Sequence, residues 1–473
     1  MNIISSNCLG GRFHQLLNVE FSNPFMWSSI YLSDFVELIK SYDTINLKNI
    51  EMSYSQNNFG REKCTKLSLD DTINVYFSHH IYNENEKTPK RCGDVNIEYD
   101  NILEYVKNKW LNRVGRTQLE PVFVYDDIKE YTDIAVENFI SVTTPYKKLL
   151  ITTNKSLIKY ESDKLKVYIK PANNYHTFNL ANDILNNDDY RKYLGIYYAI
   201  VLPSSQFCNI LFQYAAAKYY AKENNFIPCF SMEKIYMLGI DKFNDYKLHT
   251  FLKHVRCIKN LPKNIVKFHC DSNHLFQEIP VVKEDILIDG LLQSPKYFGN
   301  SRDWIKEVYK PSEGLTNEIK SLYPLDFEEY VSIHIRRKDF LRYNRFRKIT
   351  PDYIQYIMHN FFSKDQKFII LSDDIEWCKK NLNFHNCIFS DKKSNKYPQY
   401  LIDLYIQTLC KDNIIHPGST FSWWGAYLNI HSKRRVYYSS PWFETKEDDK
   451  TKLTDEVYDV IPDNDNWIDI NKL

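Results

Sequence analysis

The sequence predicts an α/β protein built on parallel, doubly wound sheets, and three observations carry that expectation. From about residue 326, short apolar strands alternate with amphipathic helices, the signature of repeated strand–helix–strand units. The segments HIRRKD, LSDDIEW and HPGSTFSWW fall at the carboxyl ends of those strands, where such sheets bind their ligands. The chain has 473 residues, more than one core organises, so at least two and more plausibly three domains are expected.

Near the N-terminus, IYLSDFVELIK predicts a helix, and TINVYFSHH and PVFVYDD predict strands. These assign residues 1–185 to a separate N-terminal α/β domain. The Asn/Asp-rich stretch LANDILNNDDYRK, 180–192, marks the expected boundary. A second domain, 195–325, opens with the strand YYAIVL and the helix FCNILFQYAAAKYYAKENN. Phe207, Ile210, Leu211, Tyr214 and Ala215 recur there at helical spacing. The third, 326–473, begins with EEYVSIHI as a strand. TPDYIQYIMHNFF follows as a helix with Thr350 as N-cap and Pro351 in the first turn. KFIILSDD, CIFS, NIIH and RRVYYS are the next strands; DIEWCKKNL, PQYLIDLYIQTLCK and STFSWWGAYLNI are the helices between them.

Composition narrows the function. Lys+Arg of 61 against Asp+Glu of 60 leaves a formal charge of +1, so a general nucleic-acid binder is not expected and any anion site must be local. Ten scattered cysteines without a CxxC pair read as reduced thiols. No apolar run has the length of a membrane span, and the N-terminus does not read as a signal peptide. A soluble, cytoplasmic chain is expected.

In VSIHIRRKDF, His334 and Arg336 share one strand face, with Arg337, Lys338 and Asp339 at its end. Guanidinium forks match phosphate or carboxylate, so a strand-end pair suits a diphosphate. A solvated basic turn paired to Asp339 fits the residues equally well. In LSDDIEW, Asp373 suits a helix cap with Glu376, leaving the other acid, Asp374, for a ribose or base. Ser419, Thr420 and Ser422 stand at the start of a helix, whose free amides attract anions. They serve equally as an ordinary cap, with Trp423 and Trp424 in the core. His79-His80 and Asp126-Asp127 suggest a metal site only weakly. Walker A, GxGxxG and GxSxG motifs are absent.

VSIHIRRKDF, FIILSDDIEWCKKNL and DLYIQTLCKDNIIHPGSTFSWWGAYLN, in that order and preceded by LLQSPKYFGNSRDWI, resemble the α-1,2-fucosyltransferases of glycosyltransferase family 11. The resemblance spans about 195–473. It implies a GT-B-like pair of Rossmann-type subdomains, the second of them binding a GDP-sugar. It implies inverting transfer of L-fucose from GDP-fucose to a galactoside-type hydroxyl of a glycan, without a metal or other cofactor. Carried onto this chain, Arg336 and Arg337 bind the donor diphosphate with Asp339 beside them, and His334 lies close to the nucleotide. Asp373 or Asp374 recognises guanine or ribose. Ser419, Thr420, Phe421 and Ser422 line the β-phosphate, and Asn209 belongs to the loop facing it.

Two departures stand out. The family's glycine-rich opening loop is VLPSSQFCNILFQYAAAK here, with Pro203, Ser204 and Ser205 in place of glycines. Lys338 replaces a small residue of the arginine motif. They keep two alternatives open, a transferase for another nucleotide sugar and a non-catalytic glycan- or nucleotide-binding module.

ISSNCLGGRFHQLL, SLDDTINVYFSHH and NKWLNRVGRTQLEPVFVYDD, over about 1–165, resemble an uncharacterised domain of exopolysaccharide-biosynthesis proteins. The resemblance raises a second glycosyltransferase activity. Asn7, Cys8, Gly10, Gly11, His79, Trp110, Arg113 and Asp127 are the positions it singles out.

Overall fold

The computed structural model describes residues 3–5, 28–30, 32–55, 64–77, 99–114, 121–126, 133–170, 177–233, 244, 250, 252, 255–270, 275–299, 301–382, 384–444, 459–462 and 466–472. They fall into two units, Met1–Tyr197 and Tyr198–Leu473.

The first unit runs β1 (Ile3–Ser5), β2 (Ser28–Ile30), α1 (Leu32–Ser41), β3 (Ile50–Ser55), β4 (Cys64–Leu69), β5 (Ile73–Phe77), α2 (Tyr99–Val114) and β6 (Val122–Asp126). It continues with α3 (Asp133–Ser141), β7 (Lys147–Thr152), β8 (Leu165–Ile169), α4 (Thr177–Asn186) and α5 (Asp188–Tyr193). Strands β1-β6-β7-β8 form a parallel sheet and β2-β5-β4-β3 an antiparallel one. The hydrophobic patterns explain both. β6 is buried at every position, as a strand covered on both faces must be. In β4 and β5, buried Leu67, Leu69, Ile73 and Val75 alternate with partly exposed Lys66, Ser68 and Asn74. One cluster joins the two sheets and their helices through Phe35, Leu67, Val75, Phe123, Phe139 and Leu150.

The polar stretch 180–192 is helical, lying within α4 and α5. Its Asn/Asp content serves a cap: the Asn187 side chain accepts from the amides of Asp189 and Tyr190. The break between the units falls at Tyr197–Tyr198.

The second unit opens with β9 (Tyr197–Val201), α6 (Phe207–Asn224), β10 (Phe226–Ser231), β11 (Arg256–Ile258), β12 (Ile265–His269) and β13 (Asp285–Asp289). These strands form one sheet in the order β11-β10-β9-β13-β12. α6 differs from its expectation. The spacing suggests a half-exposed helix, but twelve of its eighteen residues are buried. Its Phe212 ring lies 4.6 Å from Trp423 and 4.7 Å from Trp424, so the helix is covered on the side away from its sheet too.

The remainder runs α7 (Arg302–Val308), α8 (Glu313–Leu322), β14 (Tyr330–Ile335), α9 (Pro351–Phe361), β15 (Lys367–Ser372) and α10 (Ile375–Asn381). Then come β16 (Cys387–Phe389), α11 (Gln399–Leu409), β17 (Asp412–Ile414), α12 (Thr420–Tyr427), β18 (Val436–Tyr438) and β19 (Trp467–Asp469). All six strands pair in parallel, in the order β16-β15-β14-β17-β18-β19. That is the Rossmann order, with its reversal between β14 and β17. Thr350 caps α9 by accepting from the Tyr353 amide, with Pro351 first in the helix, as the sequence predicts. The two halves form the GT-B-like pair of Rossmann-type subdomains that the resemblance implies.

Candidate functional site

The reversal at β14 and β17 fixes where the chemistry lies. A neighbour on one side of β14 sends its helix above the sheet and the neighbour on the other side sends it below, opening a crevice at the strands' carboxyl ends. A cleft of about 720 Å³ lies there, a volume suited to a small-molecule ligand. The second half lines it with His334, Arg336, Lys338, Asp339, Asp373, Asp403, Ser419, Thr420 and Phe421. The first half contributes Ser205, Gln206, Asn209 and Gln293.

Arg336 is the most constrained cation in it. Its Nε donates to Asp339 Oδ1 at 2.8 Å and its Nη2 to Asp339 Oδ2 at 2.9 Å, a fork matched to a fork. Nη1 lies 3.3 Å from Asp373 Oδ2. Nη2 also donates to Gln206 Oε1 at 3.2 Å, from the loop that opens the first half. Burial pushes the Asp339 carboxyl up, but the hydrogen bonds and charge of Arg336 outweigh it and hold that carboxyl below its ordinary value. Asp339, expected beside the arginines, is thus an ionised group already committed to Arg336.

Asp373 shapes the turn itself. Its Oδ1 accepts from the Arg337 amide at 2.8 Å and its Oδ2 from the Lys338 amide at 3.2 Å. The helix cap expected of Asp373 is made by Asp374, which accepts from the Trp377 amide. The strand ends at Ser372, whose hydroxyl takes the Asp374 amide at 3.0 Å and starts the helix one residue later. Glu376, expected to complete a capping box, pairs with Lys379.

Arg337 departs from its expectation. Its guanidinium stacks on Trp377, 3.4 Å from the ring centroid, and its Nε bonds Asp374 at 3.2 Å. Neither Arg337 nor Asp374 is among the residues that line the cleft. The strand ends at Ile335, and of the residues around the turn His334, Arg336, Lys338, Asp339 and Phe340 line the cleft while Arg337 does not.

Two buried histidines lie behind the arginine. His416 Nδ1 accepts from the Arg336 amide at 2.9 Å, so its proton sits on Nε2 and is donated to the Arg347 carbonyl at 2.7 Å. Burial, with the charges of Arg336, Arg347 and Arg337, drives its pKa down to about 4, although the Arg347 carbonyl bond works the other way. His334 Nδ1 bonds Ser422 Oγ, which itself accepts from the His416 amide. Burial, then the His416 and Arg336 charges, push His334 well below its ordinary pKa. Both rings are neutral.

The start of α12 completes this wall. Ser419 caps the helix, its hydroxyl accepting from the Ser422 amide at 3.3 Å. Ser419, Thr420 and Phe421 line the cleft, whereas Ser422 is buried behind them against His334. Trp423 and Trp424 are core residues, donating to Val460 O and Cys208 O.

On the facing wall, Ser205 adopts φ +65°, the left-handed region that favours glycine. Asn209 Nδ2 bonds Ser205 Oγ at 2.6 Å, and Asn209 Oδ1 accepts from Gln293 at 2.7 Å.

One group was invisible to sequence reasoning. Asp403, midway along α11, lines the cleft and accepts from Ser390 and from Gln399 Nε2 through Oδ1. Burial raises its pKa to about 6, against the two hydrogen bonds and the Lys393 charge. Gln399 Oε1 beside it is buried and accepts no hydrogen bond.

The model of the family described as glycosyl transferase family 11 matches residues 201–456, more than half of the chain. The chain belongs to that family. Residues 1–198 match a domain of unknown function, DUF1919. Within the family, this member is 30% identical over 207 residues to an Escherichia coli alpha-1,2-colitosyltransferase, covering 41% of this chain and 69% of the relative. An Escherichia coli O-antigen biosynthesis glycosyltransferase, WbnK, is 28% identical over 253 residues, 49% of this chain and 80% of its own. The Bos taurus galactoside 2-alpha-L-fucosyltransferase SEC1 is 31% identical over 107 residues, 21% of this chain and 28% of its own.

The N-terminal unit of this family member supplies less chemistry. Asp126, weighed above as a metal ligand, pairs with Lys170 Nζ at 2.6 Å, both side chains buried. Trp110 is in the core and donates to Leu47 O. Arg113 is buried, and Asn7, Cys8, Gly10, Gly11, His79, His80 and Asp127 lie outside the described residues. Among the described residues no group of three or more metal-binding side chains occurs, and no helix is long and apolar enough to cross a membrane.

Proposed function

We propose that the second unit transfers L-fucose from GDP-fucose to a galactoside-type hydroxyl, making an α-1,2 linkage in glycan or polysaccharide synthesis. The observation that carries this reading is the reversal between β14 and β17, which puts Arg336 and the first turn of α12 on one cleft. Fixed cations and helix-end amides there suit the charge that grows on a departing diphosphate.

The base lies against Asp403 and Gln399. Guanine presents two adjacent donors, N1–H and the N2 amino group. Asp403 is an acceptor in the cleft, and Gln399, whose Nε2 donates to Asp403 Oδ1, carries an Oε1 that accepts no hydrogen bond. Uracil offers one donor between two carbonyls and fits them poorly. This moves the base from Asp373 and Asp374, whose oxygens serve Arg336, Arg337 and the turn amides.

In the reaction the bond from the anomeric carbon to the β-phosphate oxygen breaks, and its electron pair stays on the diphosphate. The acceptor oxygen attacks the opposite face, so the anomeric centre inverts, and its hydroxyl proton is released. Arg336 meets the developing charge without moving, because Asp339 and Asp373 hold it in place. Asp339 is a positioning residue in this scheme. Transfer is proposed to need no metal or other cofactor, since the cleft's own cations face the diphosphate.

The colitosyltransferase relative favours a second reading, in which a colitosyl unit replaces fucose. The N-terminal unit is proposed as a second transferase, on the strength of its all-parallel sheet and the match of residues 1–198 to a separate domain. A cytoplasmic location is proposed from the seven free cysteines among the described residues.

The test incubates the full chain with GDP-fucose or a colitosyl donor, with and without galactosides, and follows GDP release and product linkage. Galactoside-dependent release and an α-1,2 product support the reading. Binding of GDP-fucose without turnover on any acceptor would leave a nucleotide-binding module. With Arg336→Ala, any residual transfer belongs to the N-terminal unit.

A further inference from the structure

The geometry points to Lys338 as a donor-binding residue, a cation that adds net positive charge for the diphosphate. This rests on the GDP-sugar reading above and goes beyond it, because the family carries a small residue at this position.

Four cations line the cleft: Arg336 and Arg345 are held by neighbouring groups, while Lys338 and Lys393 are exposed lysines. Arg336 faces two carboxylates, Asp339 through both oxygens and Asp373 at 3.3 Å, so its charge is more than balanced before any ligand arrives. Lys393 makes no hydrogen bond or ion pair among the described residues, and the carboxylate its charge reaches is Asp403, where the base rather than the diphosphate is proposed to lie. Arg345 lies over the rings of Phe346 and Phe443, 4.8 and 5.9 Å from their centroids, at the aromatic edge of the cleft. Arg337, which a diphosphate site would use on sequence grounds, is stacked on Trp377 outside the lining.

Lys338 stands two residues from Arg336 on the same turn. It is exposed, lines the cleft, and its ammonium makes no hydrogen bond or ion pair among the described residues. Its backbone amide is fixed by Asp373 Oδ2 at 3.2 Å, which sets the side chain on the same face as His334 and Arg336. Asp373 thus does two things with one carboxylate: it neutralises part of Arg336 and delivers Lys338 to the cleft. A diphosphate carries two or three negative charges at neutral pH. A flexible ammonium reaches its oxygens and adds net charge beside the fixed guanidinium, whose own charge is shared with Asp339 and Asp373.

The experiment titrates guanosine, GMP and GDP into the full chain by calorimetry, for wild type, Lys338→Gln, Lys338→Arg and Lys393→Gln. Lys338→Gln is expected to weaken GDP about ten-fold and guanosine not at all, with the gap closing as salt is raised. Lys338→Arg is expected to recover most of the loss. A GDP affinity unchanged in Lys338→Gln overturns the inference, as does an equal loss for guanosine or a phosphate-dependent loss found only in Lys393→Gln. In each of these cases wild type still binds GDP, so the donor reading stands. If wild type binds none of the three, that reading falls as well.

Discussion

Asp339 grips Arg336 through both carboxylate oxygens, at 2.8 and 2.9 Å, three residues along the same turn. The pair makes a rigid guanidinium from two flexible side chains, and its rigidity is testable. Asp339→Asn keeps the shape but loses the charge-assisted bonds, each worth about 1.5–3 kcal/mol. Transfer is expected to fall about 10- to 100-fold, mostly in kcat, while thermal unfolding shifts little. A loss confined to KM would show that Asp339 orients donor in the ground state only.

Arg337 and Arg336 separate sharply despite being neighbours. Arg337→Ala removes the stack on Trp377 and the bond to Asp374, so it is expected to cost about 1–2 kcal/mol of stability. Its GDP affinity is expected to stay within about three-fold of wild type. Arg336→Ala is expected to retain the fold and lose diphosphate binding. Calorimetry and denaturant unfolding of the two variants check this directly.

Asp403 gives the donor site an acid limb. Its carboxyl, raised by burial to about 6, is ionised at pH 7 and protonated below pH 6, where it loses its role as acceptor. Donor KM is expected to rise as pH falls through 6, and Asp403→Asn to abolish that limb along with most guanine affinity. The stability sign runs the other way. A carboxyl raised above its unfolded value costs stability increasingly as pH rises from about 4 to 6. Asp403→Asn is therefore expected to unfold at a higher temperature than wild type at pH 8, the difference shrinking towards pH 4.

Ser205 holds a left-handed backbone that costs a non-glycine residue about 1–2 kcal/mol. Its hydroxyl oxygen accepts a hydrogen bond from Asn209 Nδ2. Ser205→Ala keeps the strain and loses the bond; Ser205→Gly loses both. Ser205→Gly is expected to be the more stable of the two by about 1 kcal/mol in denaturant unfolding.

Much of this was legible in the sequence because local rules agreed with the fold. The strand–helix alternation after 326 gave the sheet, Thr350-Pro351 gave a helix start, and the face shared by His334 and Arg336 gave the cleft wall. Where the reading failed, the deciding contact was distant in sequence or one residue off. Asp403 reads as an ordinary polar position of a helix until Ser390 and the cleft close around it. Arg337 leaves the site because Trp377, forty residues on, offers a ring. α6 looks amphipathic because its second buried face meets Trp423 and Trp424, two hundred residues later. The strand β19 is three residues long, too short for any periodicity to mark it.

A guanosine diphosphate sugar held between Asp403 and Arg336 makes a prediction that competitive binding of GDP and UDP to the full chain checks. GDP is expected to bind at least about 100-fold more tightly than UDP, with the preference lost in Asp403→Asn and the affinity lost in Arg336→Ala. Equal affinities, or a preference for UDP, would contradict it.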